Sequence, residues 1–159
     1  MTSTSFADRF TTRLPRELRD QGAQLTWEGF VAAYGHATGP LRVGRWRCLD
    51  SERPGSRLGL QSRTYQATIA VGDRSGTCTA AAYGPLAALT EMLYERGITL
   101  EILGFHQLGC GDETATFIHG SNGRETAWAV GFAPDAGGSV VEAVVTCVNR
   151  LLTATAAGE

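Results

Sequence analysis

The fold is decided by residues 99–155, which read TLEILGFHQLGCGDETATFIHGSNGRETAWAVGFAPDAGGSVVEAVVTCVNRLLTAT. Alternating apolar and β-branched residues predict three strands here. They run over Thr99 to His106, Glu113 to His119 and Thr126 to Phe132. A helix is predicted to begin near Ser139, because Ser139 and Glu142 have the spacing of a capping box. Its buried side is predicted to carry Val141, Val144, Val145, Val148 and Leu152.

The preceding stretch repeats the same plan. Three more strands are predicted, over Leu41 to Leu49, Thr64 to Val71 and Thr77 to Tyr83. A helix then opens at Gly84-Pro85, where proline at the first helical position has no amide hydrogen to leave unpaired, and it stops at Gly97. The chain therefore contains two consecutive strand–strand–strand–helix units of nearly equal length, Leu41 to Gly97 and Ile98 to about Thr155.

One helix covers only part of a three-stranded sheet, so two such units are expected to pack together. We predict an α+β fold of two pseudo-symmetric βββα units. In the last strand Trp128, Val130 and Phe132 share one face, while Ala127, Ala129 and Gly131 form a nearly flat opposite face that another layer can approach closely. A sheet face left uncovered is a candidate interface for a homodimer.

The N-terminal region has a different pattern. Residues 1–23 are polar with isolated apolar side chains and predict a short amphipathic helix or a frayed arm. The run LTWEGFVAAY, residues 25–34, has apolar residues at helical spacing. We therefore expect an N-terminal helical extension before the βββα repeat and place the folded domain at residues 24–159.

Composition excludes several classes of function. The 159 residues are 43% hydrophobic with a net charge of −2, so neither nucleic-acid binding nor a membrane surface is indicated. All 14 basic residues are arginine, which excludes chemistry that needs a lysine amine within these residues. A (β/α)₈ barrel requires roughly 250 residues and does not fit. No secretory signal or membrane span is evident, and a cytoplasmic location is expected.

The four cysteines are widely spaced, which favours reduced thiols over a zinc or redox site. We expect no metal and no cofactor. Six arginines between residues 42 and 63 predict a local basic surface, which would face an acidic partner, a phosphate-bearing ligand or water.

Two helix starts follow small residues, Gly84-Pro85 and Gly137-Gly138-Ser139. Unpaired amide hydrogens and the positive end of the helix dipole suit a carboxylate at such places, although glycine also serves simple tight turns. Leu86, Phe105 and Ile118 are candidates for an apolar wall.

A glycine-rich segment between the two helices is the second candidate part of this site. Its backbone can approach a ligand closely, or it can form a solvated hairpin tip. The candidate binding residues in it are Gly104, Phe105, His106, Gly109, Cys110, Gly111 and Asp112.

The same region permits an acid–base interpretation. His106, Glu113 and His119 are candidates for moving protons on a bound molecule. Together with Cys110 and Asp112 they are also a conceivable metal cluster, but the spacing is unspecific and a strand histidine is more often structural.

The stretch from Tyr83 to Leu152 resembles the C-terminal regulatory and dimerisation domain of 2-isopropylmalate synthase. The pieces that carry the resemblance are YGPLAALTEML, GITLEILGFHQLGCGDETATFIHG, WAVGFAP and VVEAVVTCVNRLL. Gly84 and Pro85 match the start of the family's first long helix, whereas Gly104-Phe105 stand where the family usually has an Asp-Tyr-like pair.

The resemblance implies a domain that binds an amino-acid effector between its two units and helps two subunits associate. The family's metal-dependent catalytic barrel has no counterpart in these residues, so condensation activity is not expected. The main hypothesis is a free-standing dimeric domain that binds an amino-acid-like or carboxylate ligand and either regulates a partner synthase in trans or buffers a metabolite. The alternatives are a small enzyme of specialised biosynthesis that reuses the scaffold, working alongside other biosynthetic enzymes, and a purely structural dimerisation module.

Overall fold

The computed structural model describes residues 39–49 and 62–157. Within them, six strands and two helices follow one another in the order β1–β2–β3–α1–β4–β5–β6–α2. The N-terminal arm and helix predicted before residue 39 lie outside these residues. The elements are β1 (Leu41–Cys48), β2 (Arg63–Val71), β3 (Arg74–Ala82), α1 (Pro85–Glu95), β4 (Glu101–Cys110), β5 (Glu113–Ser121), β6 (Thr126–Ala133) and α2 (Ala136–Ala157).

The strands form two separate antiparallel sheets of three, ordered β1-β2-β3 and β4-β5-β6, and each sheet is followed by a helix. Two hairpins close with a Gly-Asp turn, in which Gly72 and Gly111 have φ values of 64° and 63°. A two-residue hairpin turn favours glycine at such a left-handed position. The predicted α+β fold of two pseudo-symmetric βββα units is confirmed.

Two element boundaries differ from the predicted ones in ways that affect the site. Strand β4 continues to Cys110, so most of the glycine-rich segment is part of a strand and only Gly111-Asp112 form the turn. Helix α2 begins at Ala136, three residues before the predicted Ser139. Strand β4 is extended by its pairing with β5, and α2 is extended by the capping carboxylate of Asp135, the residue directly before it.

The flat face of β6 is where α2 packs. A Cβ atom at Gly131 would overlap the backbone nitrogen of Ala143 and the carbonyl oxygen of Ser139, and one at Gly120 on the neighbouring strand would lie 2.8 Å from the sulfur of Cys147. The predicted close approach of a second layer to Ala127, Ala129 and Gly131 is therefore confirmed, and that layer is α2.

The buried surface of helix α2 covers more of its circumference than the predicted apolar side. Val141, Val144 and Val148 are buried as expected, but Val145 and Leu152 are only half-buried. The wider arc arises because α2 contacts β5 and β6 on one side and β1 and α1 on the other. The buried apolar residues that the predicted side omitted are Val140, Ala143, Cys147 and Leu151.

Among the described residues, one hydrophobic cluster spans both units. It contains Leu41, Ile69 and Met92 from the first unit and Ile118 and Val144 from the second. Within the described ranges, no helix is both long enough and apolar enough to cross a lipid bilayer.

A polar contact also joins the units. The side-chain oxygen of Asn149 accepts a hydrogen bond from the backbone nitrogen of Leu41 at 3.0 Å, and its amide nitrogen donates to the backbone oxygen of Leu41 at 3.0 Å. Asn149 lies on α2 and is 2% exposed, while Leu41 begins β1. The side chain thus pairs the first residue of one sheet with the helix of the other unit.

Replacing this amide is expected to destabilise the fold. Asn149→Ala leaves the backbone N–H and C=O of Leu41 buried without partners, which is expected to lower the free energy of unfolding by about 3 kcal/mol. Urea denaturation followed by circular dichroism measures the loss. Thr153→Ala, an exposed position on the same helix, is the control and is expected to change stability by less than about 0.5 kcal/mol. Equal effects of the two substitutions would contradict the role given to Asn149.

Candidate functional site

A cavity of about 460 Å³ opens where the start of α1, the middle of β4 and the start of α2 meet. Its walls are mostly apolar, with one amide side chain among them. Because strand residues two apart share a face, Phe105 and Gln107 of β4 both face the side of the sheet that α2 covers. The lining residues are Gly84, Pro85, Leu86, Ala87, Phe105, Gln107, Ala136 and Val140.

The start of α1 carries no side-chain cap. Gly84 precedes the helix in an extended conformation and Pro85 occupies the first helical position. The next two residues, Leu86 and Ala87, line the cavity, and their backbone N–H groups donate no hydrogen bond to a capping side chain. The first turn of α1 contains no acidic residue, so the positive end of this helix dipole lies at the cavity without a carboxylate of its own helix beside it.

The start of α2 is capped, in contrast. The carboxylate of Asp135 accepts a hydrogen bond from the backbone nitrogen of Gly138 at 2.7 Å. This is an N-cap geometry, so the predicted capping box of Ser139 and Glu142 is wrong, because the helix already begins at Ala136. The two helix starts are thus chemically different, and only that of α1 is left uncapped.

Ser139 belongs instead to a closed ring of hydrogen bonds. Its hydroxyl donates to the backbone oxygen of Ala136 at 2.7 Å and lies 2.5 Å from the hydroxyl of Thr116, and both hydroxyl residues are fully buried. The amide nitrogen of Gln107 donates to Thr116 at 3.0 Å and to Ala136 at 3.3 Å. Since the single proton of Ser139 goes to Ala136, the hydroxyl of Thr116 is the donor to Ser139.

This ring fixes the orientation of Gln107. The backbone oxygen of Ala136 only accepts, so the amide nitrogen of Gln107 must face α2. Its amide oxygen makes no hydrogen bond to any described residue. The cavity wall therefore holds an oriented side-chain acceptor in an otherwise apolar lining.

The structure brings together some of the predicted binding residues. Gly84, Pro85, Leu86 and Phe105 all line the cavity. The predicted Gly137, Gly138 and Ser139 lie in the first turn of α2, whose first residue forms part of the same wall.

Other predicted residues lie elsewhere. A Cβ atom at Gly104 would contact His119 and Trp128, which lie on the sheet face opposite to α2, and His106 faces the same way by alternation. Ile118, a predicted wall residue, is fully buried in the core. Three further residues, at the end of β4 and in its turn, are not among the lining residues: Gly109, Gly111 and Asp112. The side chain of Cys110, also predicted to bind, lies outside what the structure describes.

The most informative residue that the sequence analysis missed is Gln107. It lies two residues after Phe105, and the period of a strand places the two side chains on one face. The strand predicted from the sequence ends at His106, one residue before Gln107. The alternation rule was therefore not applied to Gln107.

The three candidate acid–base residues do not converge. His106 is paired with Phe117 across the sheet, so His119 lies on the same face one diagonal step away, about 7–8 Å in a regular sheet. Glu113 is four residues from Phe117 along β5, which is about 13 Å. The ring of His119 stacks on Trp128 at 4.7 Å, a packing contact.

The cysteines whose side chains are described, Cys48, Cys78 and Cys147, carry free thiols. Burial raises the pKa of Cys147 to about 11, so this thiol is protonated at neutral pH and unsuited to nucleophilic chemistry. Among the residues that the structure describes, no group of three or more His, Cys, Asp or Glu is placed to hold a metal ion.

The chain matches no protein-family model. It is similar to three curated proteins described as 2-isopropylmalate synthase. The one from Mycobacterium leprae is 26% identical over 151 residues, which are 90% of this chain and 24% of that protein. Those from Mycobacterium ulcerans and Clavibacter michiganensis are 27% and 28% identical, over 78% and 67% of this chain and 22% and 19% of theirs.

The chain therefore spans about a fifth to a quarter of the length of these relatives. That share fits one domain of such a synthase, for example the C-terminal domain that the sequence motifs resemble.

The hydrogen-bonded ring at the cavity is expected to behave as one unit. Ser139→Ala leaves the buried hydroxyl of Thr116 without an acceptor and is expected to lower the free energy of unfolding by about 1–3 kcal/mol. Thr116→Val in the Ser139→Ala background removes that unpaired hydroxyl and is expected to cost less than in the wild type. Urea denaturation of the four proteins gives the coupling energy. Strictly additive costs would show that the two hydroxyls act independently.

Proposed function

We propose that this chain is a binding domain for a small amino-acid-like molecule or carboxylic acid. Its similarity to a segment that makes up about a fifth to a quarter of the length of three 2-isopropylmalate synthases supports the proposal. The observation that carries the proposal is the convergence of both helix starts and two β4 side chains, Phe105 and Gln107, on one cavity of about 460 Å³. This volume lies within the usual range for small-molecule sites.

The cavity is suited to a ligand with a carboxylate at one end. The uncapped amides of Leu86 and Ala87 at the start of α1 are the groups that would receive it. An ammonium group on the same ligand would donate to the free amide oxygen of Gln107, while Leu86, Phe105 and Val140 would surround an apolar side chain.

The expected affinity follows from these contacts. Burying a leucine-sized side chain contributes about 1.5–3 kcal/mol, and charge-assisted hydrogen bonds contribute about 1.5–3 kcal/mol each. After the costs of association, binding in the micromolar range is expected, which suits a domain that senses a metabolite and regulates an attached or separate synthase. The separation of His106, Glu113 and His119 gives the enzymatic alternative no structural support.

We extend the proposal to association of two copies of the chain. Tyr83, immediately before Gly84, is 68% exposed, and Phe105 at the cavity is 39% exposed. These aromatic side chains form an apolar rim beside the cavity that a second copy would cover.

The ligand proposal is tested with a substitution that blocks the amides without harming the fold. Gly84 has an extended φ and no atoms within 4 Å of an added Cβ, so Gly84→Asp introduces an N-cap carboxylate that stabilises α1. The same carboxylate competes with and repels an anionic ligand. Calorimetric titration with leucine, isoleucine, valine, their 2-keto acids and 2-isopropylmalate is expected to show micromolar binding to the wild type and at least tenfold weaker binding to the variant.

Gly109→Asp is the matched control, since Gly109 also has open space around it and lies on β4 outside the cavity lining. It adds the same charge and is expected to leave the affinity unchanged. The proposal would be overturned if none of the compounds bound to the folded wild type. It would also be overturned if Gly84→Asp and Gly109→Asp lowered the affinity equally.

Association is tested by light scattering at micromolar concentrations. The wild type is expected to be a dimer, and Tyr83→Ser is expected to weaken the dimer because it removes an aromatic anchor. Tyr94→Ser, at a tyrosine that is 72% exposed on α1, is the control and is expected to remain dimeric. A monomeric wild type would contradict the dimer.

A further inference from the structure

A β-bulge interrupts the edge strand of the first sheet. Gly44 pairs with Thr68 and Arg47 pairs with Gln66, so two residues, Arg45 and Trp46, lie opposite the single residue between Thr68 and Gln66. Arg45 has a φ of 52° and is the one non-glycine residue with a positive φ in the described part of the chain. A large side chain in this conformation is uncommon and strained.

The bulge decides which side chain faces water. In an unbroken register Arg45 would lie opposite Ala67, which is 1% exposed and faces the core. The extra residue lets Trp46 take the inner position instead, where it packs on the core and stacks on Tyr65 at 5.3 Å. Arg45 is left exposed, on the same side of the sheet as Arg47. Bulges that re-aim a side chain in this way are frequent beside functional sites.

The two arginines line a second cavity of about 530 Å³, on the first sheet and separate from the cavity between the helices. The guanidinium of Arg47 donates two hydrogen bonds to the side-chain oxygen of Gln66. The distances to this oxygen are 3.0 Å from Nε and 2.5 Å from Nη2. Arg45 makes no hydrogen bond or ion pair to any described residue. Thr68 and Thr77, which pair across β2 and β3, also line the cavity.

The described residues of the first sheet carry a net positive charge. Residues 39–49 and 62–83, which comprise the three strands of the first sheet, contain five arginines and a single acidic residue, Asp73. These counts give this part of the chain a net charge of +4, whereas the whole chain has −2. An anion is therefore attracted to this sheet by its general field as well as by Arg45 and Arg47.

We propose that this bulge cavity binds the phosphate or diphosphate group of a small molecule. Two guanidinium groups and two threonine hydroxyls offer more donors than the two oxygens of a carboxylate accept, and they match the several oxygens of a phosphate. The planar guanidinium of Arg47, held in place by Gln66, is suited to bidentate contact with phosphate. The site does not depend on the proposed ligand between the two helices.

Sodium pyrophosphate is the probe, titrated calorimetrically into the full chain at low ionic strength. Arg45→Gly removes the guanidinium and also relieves the positive φ, because glycine adopts this conformation without strain. Pyrophosphate binding is expected to weaken at least tenfold, while the melting temperature stays at or above that of the wild type. Arg45→Asn, which tolerates the same backbone conformation, is the second variant and is expected to weaken binding similarly.

Arg124→Gln, which removes an exposed arginine on the other sheet's β5–β6 loop, controls for net charge and is expected to leave the affinity within twofold. Citrate is the comparison ligand and is expected to bind more weakly than pyrophosphate. An undetectable interaction with pyrophosphate, an equal loss of affinity in the control, or citrate binding as tightly as pyrophosphate would overturn the proposal.

Discussion

The position of helix α2 between the two sheets is the constraint on which the rest of the structure depends. Gly131 allows the helix backbone to approach β6, and on its other side Asn149 bonds both backbone groups of Leu41 in β1. Neither βββα unit has enough apolar surface of its own to bury its sheet. The shared helix contributes to the core of both units, because it packs on β5 and β6 and also contacts β1 and α1.

The cavity between the helices is a consequence of that arrangement. Once α2 is held against β1 and β6, its first turn comes close to the start of α1, and β4 closes the space between them. The ring of hydrogen bonds through Gln107, Thr116 and Ser139 then orients Gln107, the polar side chain among the described lining residues. Asp135 caps α2, whereas no described side chain caps α1. The start of α1 is therefore the one that the described residues leave open to an anion.

The two sheets carry different chemistry although they share a topology. In the second unit, side chains of β4 and the flat face of β6 meet the helix layer and form an apolar cavity with one oriented acceptor. In the first unit, the bulge at Arg45 and Trp46 turns a guanidinium out to the solvent beside Arg47. Duplication of a βββα unit thus supplies the scaffold, while local departures from it supply the candidate binding groups.

The sequence by itself determined the order of strands and helices from Leu41 onward, the start of α1 at Pro85 and the flat face that ends at Gly131. These follow from local periodicity and from residues whose backbone preferences act within a few positions. Tertiary structure alone decided the convergence of both helix starts on one cavity, the pairing of Asn149 with Leu41 and the outward turn of Arg45. Each of these depends on pairing or packing between segments far apart in the chain, which no local pattern records.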